Sequence, residues 1–201
     1  LYANTTADEN TALGYLTLLD NTTGATNTAV GVSALQANTT ASNNTAVGNR
    51  ALTANTTGTE NVAVGYAALD AITDAEANTA VGYQALTAST ASSNTAVGNT
   101  ALAANTTGTQ NSAFGRGALD ANTTGSYNMA YGSHALGANT TASSNTAMGY
   151  QSLTSNTTGA NNTALGRASL YTNTTTSNNT ALGFQALYTN AANNNSALGH
   201  N

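Results

Sequence analysis

The chain has 201 residues, of which only 5% are charged, and its formal net charge is -5 at pH 7. Phosphate and anionic-lipid binding depend on Lys and Arg, so a chain whose only such residues are Arg50, Arg116 and Arg167 is a poor candidate for binding nucleic acid or a membrane surface. It contains no Cys for a disulfide or Cys metal site and no run of about 18 apolar residues typical of a membrane span.

A five-residue phrase, N-T-A-x-G with small variations, recurs along the whole chain. The Asn that opens the phrase and the Ala two residues later are the same in every copy, and a Leu stands four residues after each glycine up to Gly183. Successive glycines are 17 residues apart except at two intervals of 16, and they lie at Gly14, Gly31, Gly48, Gly65, Gly82, Gly98, Gly115, Gly132, Gly149, Gly166, Gly183 and Gly199. The chain is therefore a tandem repeat array.

A 17-residue unit is too short for a helical hairpin or a propeller blade, and it matches one coil of a β-solenoid. We predict an all-β fold in which residues 1–201 form a single parallel β-solenoid, or β-roll, of about twelve coils stacked about 4.8 Å apart. The absence of Pro agrees with this fold, because interior strands must donate all their N–H groups to the next coil. No capping repeat is evident, so we expect the array to be part of a longer fibre.

In chain order, each unit is predicted to contain a strand T-A-V-G-Y, a second strand A-L-x-A and a turn N-T-T-G-x-x. The short unit between Leu86 and Asn94 supports this division, because its missing residue falls in the turn and leaves both strand phrases intact. Alternation in the first strand sends the invariant Ala to one face and Val or its equivalent to the other. We predict that the Ala face fills the coil and that the Val face packs against partner chains.

The repeated glycine of the phrase has two interpretations. It either adopts a positive φ that other residues avoid, or it lets neighbouring backbone approach closely where a Cβ would clash. We favour close approach.

The phrase N-T-A-V-G at Asn44 to Gly48, Asn78 to Gly82 and Asn94 to Gly98 resembles the head repeats of trimeric autotransporter adhesins, the YadA-like or Hep/Hag class. It is also similar to repeats of tail-fibre-like surface proteins. The resemblance extends over the whole chain and implies a left-handed β-roll, three chains packed around one axis, and attachment to host matrix or cells. The unit of that family is usually shorter, and its stalk and membrane anchor have no counterpart in this sequence.

N-x-(S/T) sequons are the densest motif, and they predict an extracellular rod with covalent N-linked glycans. The other interpretation, which we favour, is that Asn and Thr form good turns and stackable ladders by hydrogen-bonding to neighbouring backbone. The candidate acceptors are Asn4, Asn21, Asn38, Asn55, Asn105, Asn122, Asn139, Asn156 and Asn173 in the N-T-T turns, and Asn43, Asn161, Asn178 and Asn194 elsewhere.

The sequence supports two other functional classes, ice binding and acyltransferase activity, less well. Ice binding by a β-solenoid requires a regular outward T-x-T strand motif, whereas N-T-T falls in the predicted turn. A left-handed-helix acyltransferase uses hexapeptide units and a catalytic His, whereas this period is 17 and the only histidines, His134 and His200, occupy variable outward places. We therefore expect no enzyme activity and no cofactor.

Two clusters have alternative interpretations. Asp70, Asp74 and Glu76 could supply carboxylates to Ca²⁺, but a solvated turn is favoured because the glycine- and aspartate-rich repeat of calcium-binding β-rolls is missing. Tyrosines follow the phrase glycine at Tyr15, Tyr66, Tyr83 and Tyr150, and they predict either an exposed aromatic stripe for adhesion or ladder packing between coils.

The sequence predicts a structural fibre or adhesin segment at the cell surface, a homo-oligomer without nucleic acid and without membrane insertion in this segment. The alternatives are an ice-binding solenoid and a glycan-coated filament of single solenoids stacked end to end.

Overall fold

The computed structural model describes residues 2–200 and shows one continuous parallel β-solenoid, as the period predicts. Twelve three-residue strands form a single sheet, and each strand pairs in parallel with the next one in the chain. Equivalent residues pair in register, as Ala29 does with Ala46. The strands are β1 (Thr11–Leu13), β2 (Thr28–Val30), β3 (Thr45–Val47), β4 (Val62–Val64), β5 (Thr79–Val81), β6 (Thr95–Val97), β7 (Ser112–Phe114), β8 (Met129–Tyr131), β9 (Thr146–Met148), β10 (Thr163–Leu165), β11 (Thr180–Leu182) and β12 (Ser196–Leu198).

The prediction of a second strand at A-L-x-A is wrong. The Leu of this segment has a φ between 46° and 52° in every coil, in the left-handed region, and so does the residue two before it, as at Ser33 and Leu35. A 17-residue coil must turn several corners, and left-handed residues provide them. The segment still stacks by hydrogen bonds between coils, because Leu35 N donates to Ala51 O at 3.0 Å.

The repeated glycine satisfies both interpretations, so our preference for close approach alone was incomplete. Gly98 has a φ of +143°, and a Cβ added to it would lie 2.4 Å from Gly115 O in the next coil. The glycines therefore allow a backbone conformation that L residues avoid and a spacing that no side chain permits.

Three apolar columns fill the interior. The central Ala of each strand is completely buried from Ala29 to Ala181, and the Ala-Leu pair after the glycine, such as Ala34 and Leu35, packs beside it. The prediction that the Ala face fills the coil is therefore confirmed. Most of these side chains are small, so each coil has little apolar interior of its own and depends on the coils above and below.

The Asn of the N-T-T turn points into the coil and forms a column that we call the turn ladder. Asn38 Nδ2 donates to Asn21 Oδ1 in the preceding coil at 2.8 Å and to Ala41 O in its own turn at 3.0 Å. Both amide hydrogens are thus used inside the coil. Eight members are completely buried: Asn21, Asn38, Asn55, Asn105, Asn122, Asn139, Asn156 and Asn173.

The Asn that opens each N-T-A-x-G phrase forms a second buried column. The backbone N of Asn44 donates to Asn27 Oδ1 in the preceding coil at 3.0 Å, and Asn44 Nδ2 donates to Gly58 O in the following coil at 2.9 Å. Asn44 therefore joins three coils, with its backbone N–H bonded to the preceding coil and its side chain bonded to backbone groups of the following coil that the short strands leave unpaired. This explains why every unit of the chain carries the same residue at this place.

The turn ladder is interrupted in two consecutive coils, where Ile72 and Ser89 replace Asn. Ile72 offers no amide hydrogen to the preceding coil, so Asn55 Oδ1 is buried without a hydrogen-bond partner. Ser89 restores a weak link, because its Oγ accepts from Asn105 Nδ2 at 3.4 Å. The interruption shows what one missing amide does to its neighbour in the stack.

The short unit between Leu86 and Asn94 lacks the second Thr of its turn. The prediction that its missing residue falls in the turn is therefore confirmed. Thr90 Oγ1 donates to Thr106 O at 3.1 Å, which is the bond that the first Thr of a turn makes. The residue without an equivalent is therefore Thr107, which is exposed. Deletion there leaves both Asn columns in register.

We predict that Asn122→Ile destabilises the rod. The change removes hydrogen bonds from Asn122 Nδ2 to Asn105 Oδ1 and to Gly125 O, and it removes the acceptor of Asn139 Nδ2. Buried polar groups left unpaired cost about 1–3 kcal/mol each, so we expect a loss of about 2–4 kcal/mol after the gain from the apolar side chain. Denaturant unfolding followed by circular dichroism measures this loss.

Thr124→Ile is the matched control, since it places the same side chain two residues away on the exposed turn. We expect it to change stability by less than about 0.5 kcal/mol. Equal stability of the two variants would contradict the role assigned to the turn ladder.

We also predict that Gly98→Ala destabilises the rod by about 3 kcal/mol or more, because the new Cβ meets backbone of the next coil in a strained conformation. Gly137→Ala is the control, since a Cβ there meets no atom closer than 3.4 Å. We expect a melting temperature close to that of the wild type for Gly137→Ala. A comparable loss in both variants would show that the close approach of coils is not the cause.

Candidate functional site

The outward face of the sheet carries two columns, because the first and third residues of each strand point away from the buried Ala. The first is mostly Thr. The second, which we call the apolar column, is partly exposed in every coil, with Val47 at 36% and Met148 at 41%. The apolar column consists of Leu13, Val30, Val47, Val64, Val81, Val97, Phe114, Tyr131, Met148, Leu165, Leu182 and Leu198. The predicted separation of Ala and Val faces is confirmed.

The outward face is bulkier at β7 to β9 than elsewhere. Phe114 and Tyr131 stack with ring centroids 4.4 Å apart, and Met129 replaces the Thr of its strand with 41% of its surface exposed. Tyr127, just before β8, is 61% exposed. These residues form a local aromatic and Met patch on an otherwise narrow column of aliphatic side chains.

The tyrosines after the phrase glycine are both exposed and stacked where two of them are neighbours, so the two interpretations are compatible. Tyr66 and Tyr83 lie in adjacent coils with ring centroids 5.4 Å apart and an interplanar angle of 12°. Tyr15 is 71% exposed, and Tyr150 faces Arg167, whose guanidinium carbon lies 5.9 Å from the ring centroid. This stripe borders the apolar column, one residue beyond the glycine.

The two histidines lie in different coils and make different contacts. Arg116 donates to His134 Nε2 at 2.8 Å, and the ring of His200 lies 5.0 Å from the ring of Phe184. They are four coils apart, which is about 19 Å along the rod at the spacing of parallel strands. The structure therefore does not bring them into one site.

Asp120 lies beside His134 and Gly117. Burial raises the pKa of its carboxyl above the ordinary value of 3.8, and the charge of His134 and backbone hydrogen bonds offset part of this rise. The ring of His134 also explains Gly117, because a Cβ there would lie 2.8 Å from His134 Nδ1. This cluster is a local adaptation of two adjacent coils.

The acids of the alternative calcium site are paired elsewhere. Asp70 binds Arg50 at 2.8 Å, Asp74 Oδ1 accepts from Thr73 Oγ1 at 3.2 Å, and Glu76 Oε2 accepts from Thr59 Oγ1 at 3.5 Å. Within residues 2–200, the structure contains no group of three acidic or His side chains placed to hold a metal ion. The structure does not bring the three carboxylates together.

The candidate glycosylation residues fall into two classes. Eight of the N-T-T residues are the buried turn ladder, and Asn4 is half-buried at the first coil. The other four, Asn43, Asn161, Asn178 and Asn194, are exposed and occupy one column of left-handed residues just before the strands. Sequence reasoning placed the N-T-T turn correctly but missed that its Asn faces inward. The recurrence of an amide at the same place in the stack was the available signal.

No described segment forms a helix that could cross a bilayer. Comparisons with protein-family models, with curated proteins and with solved structures find no match to this chain. The resemblance to adhesin head repeats therefore stays a prediction.

We predict that Asp120→Asn stabilises the rod at pH 7 and that this advantage shrinks as the pH falls toward 4. A carboxyl whose pKa is raised by folding disfavours the folded state once it is charged, and protonation removes that cost. The free energy of unfolding of both proteins across this pH range tests the sign. An advantage that grows on acidification would contradict the dominance of burial.

Proposed function

We propose that the chain is a structural rod of an extracellular fibre or adhesin that assembles into a homo-oligomer through the apolar column. The observation that supports this is the apolar column itself, which continues over all twelve strands on a sheet face that no other segment of residues 2–200 covers. Partly exposed apolar side chains in a continuous stripe are typical of association surfaces. Few charges border them, so association would desolvate little charge.

The expected number of chains comes from the resemblance, which implies three. Three apolar columns meeting on one axis would form a shared core along the length of the rod, and the post-glycine tyrosines and the turns would face solvent. Twelve coils at about 4.8 Å span about 55 Å, enough for a long, narrow interface. The variable outward residues would then present the attachment surface.

The geometry favours this proposal over ice binding. The outward strand face has the pattern T-x-V, so it carries one column of Thr beside a column of apolar residues. Met129 and Val62 also interrupt the Thr column. The regular T-x-T surface on which the ice-binding alternative depends is not formed by these strands.

We predict that the double variant Val30→Glu and Val64→Glu is a monomer of 19.9 kDa, whereas the wild type has about three times that mass. Both residues lie outward on alternate coils, so the monomer can hydrate the new charges, but a shared core would bury them. Sedimentation equilibrium measures the mass.

The matched control is Thr23→Glu and Thr57→Glu, each seven residues earlier in the chain than the Val it is compared with and exposed on the turn before that strand. We expect this control to keep the mass of the wild type, and circular dichroism should show the same fold in all three proteins. A wild-type chain that sediments as a monomer over the micromolar range would overturn the proposed assembly.

A further inference from the structure

We infer that, of its completely buried and its exposed sequons, the folded rod accepts N-linked glycan only at the exposed ones, Asn43, Asn161, Asn178 and Asn194, and that glycan on a turn-ladder Asn prevents its coil from folding. The sequon alone does not distinguish these residues, because all of them satisfy N-x-(S/T). Their different places in the coil distinguish them. The inference does not depend on the proposed oligomer.

The chemistry of the modification conflicts with the turn ladder. Transfer from a lipid-linked oligosaccharide diphosphate forms a bond between Asn Nδ2 and C1 of the first sugar and breaks the bond from C1 to the diphosphate oxygen. The diphosphate leaves with the proton that Nδ2 loses. The product amide has one N–H where the free side chain has two.

Every turn-ladder Asn after Asn21 uses both of these hydrogens. Asn38 donates one to Asn21 Oδ1 and one to Ala41 O, and Asn139 donates one to Asn122 Oδ1 and one to Ala142 O. A glycan therefore removes at least one bond within a completely buried site. The sugar itself would have to occupy space that the adjacent coils fill about 4.8 Å away.

The exposed sequons present the opposite environment. Asn43 has a φ of 62° and points to solvent, and its backbone N donates to Ala25 O at 3.2 Å without involving the side chain. Asn tolerates this left-handed conformation better than most residues do, and a glycan on its amide would extend away from the stack. Asn161, Asn178 and Asn194 share these features on consecutive coils.

Sequons of both classes occur within one turn, where Asn38 and Asn43 lie five residues apart. The N-T-T sequons can be removed without changing any turn-ladder Asn, because each of these sequons requires the second Thr of its turn. The second Thr residues are exposed, and no side-chain hydrogen bond involves them among the described residues. They are Thr6, Thr23, Thr40, Thr57, Thr107, Thr124, Thr141, Thr158 and Thr175.

Two full-length chains test the inference. Both carry Ala at the second Thr of every turn except that of Asn38, and both carry Asn161→Gln, Asn178→Gln and Asn194→Gln. The first chain keeps Thr40 and carries Asn43→Gln, so Asn38 is its sole acceptor. The second carries Thr40→Ala and keeps Asn43. Each is secreted from a eukaryotic host that glycosylates nascent chains, and protease-resistant, β-rich protein is separated from unfolded protein before glycopeptide mapping.

In the folded fraction, we expect glycan on Asn43 of the second chain and occupancy of Asn38 in the first chain that is lower by ~10-fold or more, because the modified amide loses a buried hydrogen bond. Any Asn38 glycan should be found in the unfolded fraction. Folded protein that carries glycan on Asn38 at a comparable level would overturn the inference. So would folded protein in which Asn43 is never modified.

Both chains made in a bacterial cytosol serve as the control for the substitutions. We expect each to fold there with the same melting temperature, because neither Asn column is altered. A chain that folds in the cytosol but loses its folded fraction on secretion, with Asn38 modified, isolates the glycan as the cause.

Discussion

Each coil stacks on a near copy of itself at the spacing of parallel strands, so an interior side chain meets its own equivalent above and below. Apolar side chains of small size meet this requirement by packing, and the columns of Ala and Leu do so. A polar side chain meets it only when it is donor and acceptor at once. This self-complementarity is the constraint on which both the sequence pattern and the stability of the rod depend.

Asn satisfies that constraint in two different ways. In the turn ladder, the amide of Asn156 donates to Asn139 Oδ1 while its own Oδ1 accepts from Asn173. In the column formed by the Asn that opens each N-T-A-x-G phrase, Asn162 Oδ1 accepts from the backbone N of Asn179, so side chain and backbone alternate. A hydroxyl is shorter and an aliphatic side chain has no donor, which is why Ser89 bonds weakly and Ile72 leaves Asn55 Oδ1 unpaired.

Much of the fold follows from the sequence, because a period of 17 residues fixes the stacking, and alternation in T-A-V fixes which side chain is inside. The prediction of a second strand at A-L-x-A was wrong for a physical reason. Local preference argues against a left-handed Leu, but burial of Leu35 and its bond to Ala51 O stabilise that conformation. Propensity of a single residue cannot reveal such a compensation, which arises only when twelve coils stack.

The inward Asn was hidden by a different ambiguity. Asn in N-T-T is equally typical of a turn, a sequon and a ladder, and the three interpretations differ only in where the amide points. Direction is decided by the place in the coil: Asn38 uses both amide hydrogens inside the coil, whereas Asn43 lies exposed at a left-handed corner beyond the turn. Identical short motifs therefore acquire opposite roles from their place in one coil.

The interior columns leave little room for variation, and this concentrates any specificity on the outward ones. The place after the phrase glycine holds Tyr83, Arg116 and Phe184 in different coils, and the strand that precedes it keeps its length of three residues in each. Outward residues can vary more than interior ones, because the solenoid packs against them on its own side and leaves their other side exposed. The stacked rings of Phe114 and Tyr131 depart from the repeat on the outward face of the sheet. Two stacked rings take more room than the Val of most other coils, so in the proposed assembly this part of the rod would set the spacing between chains.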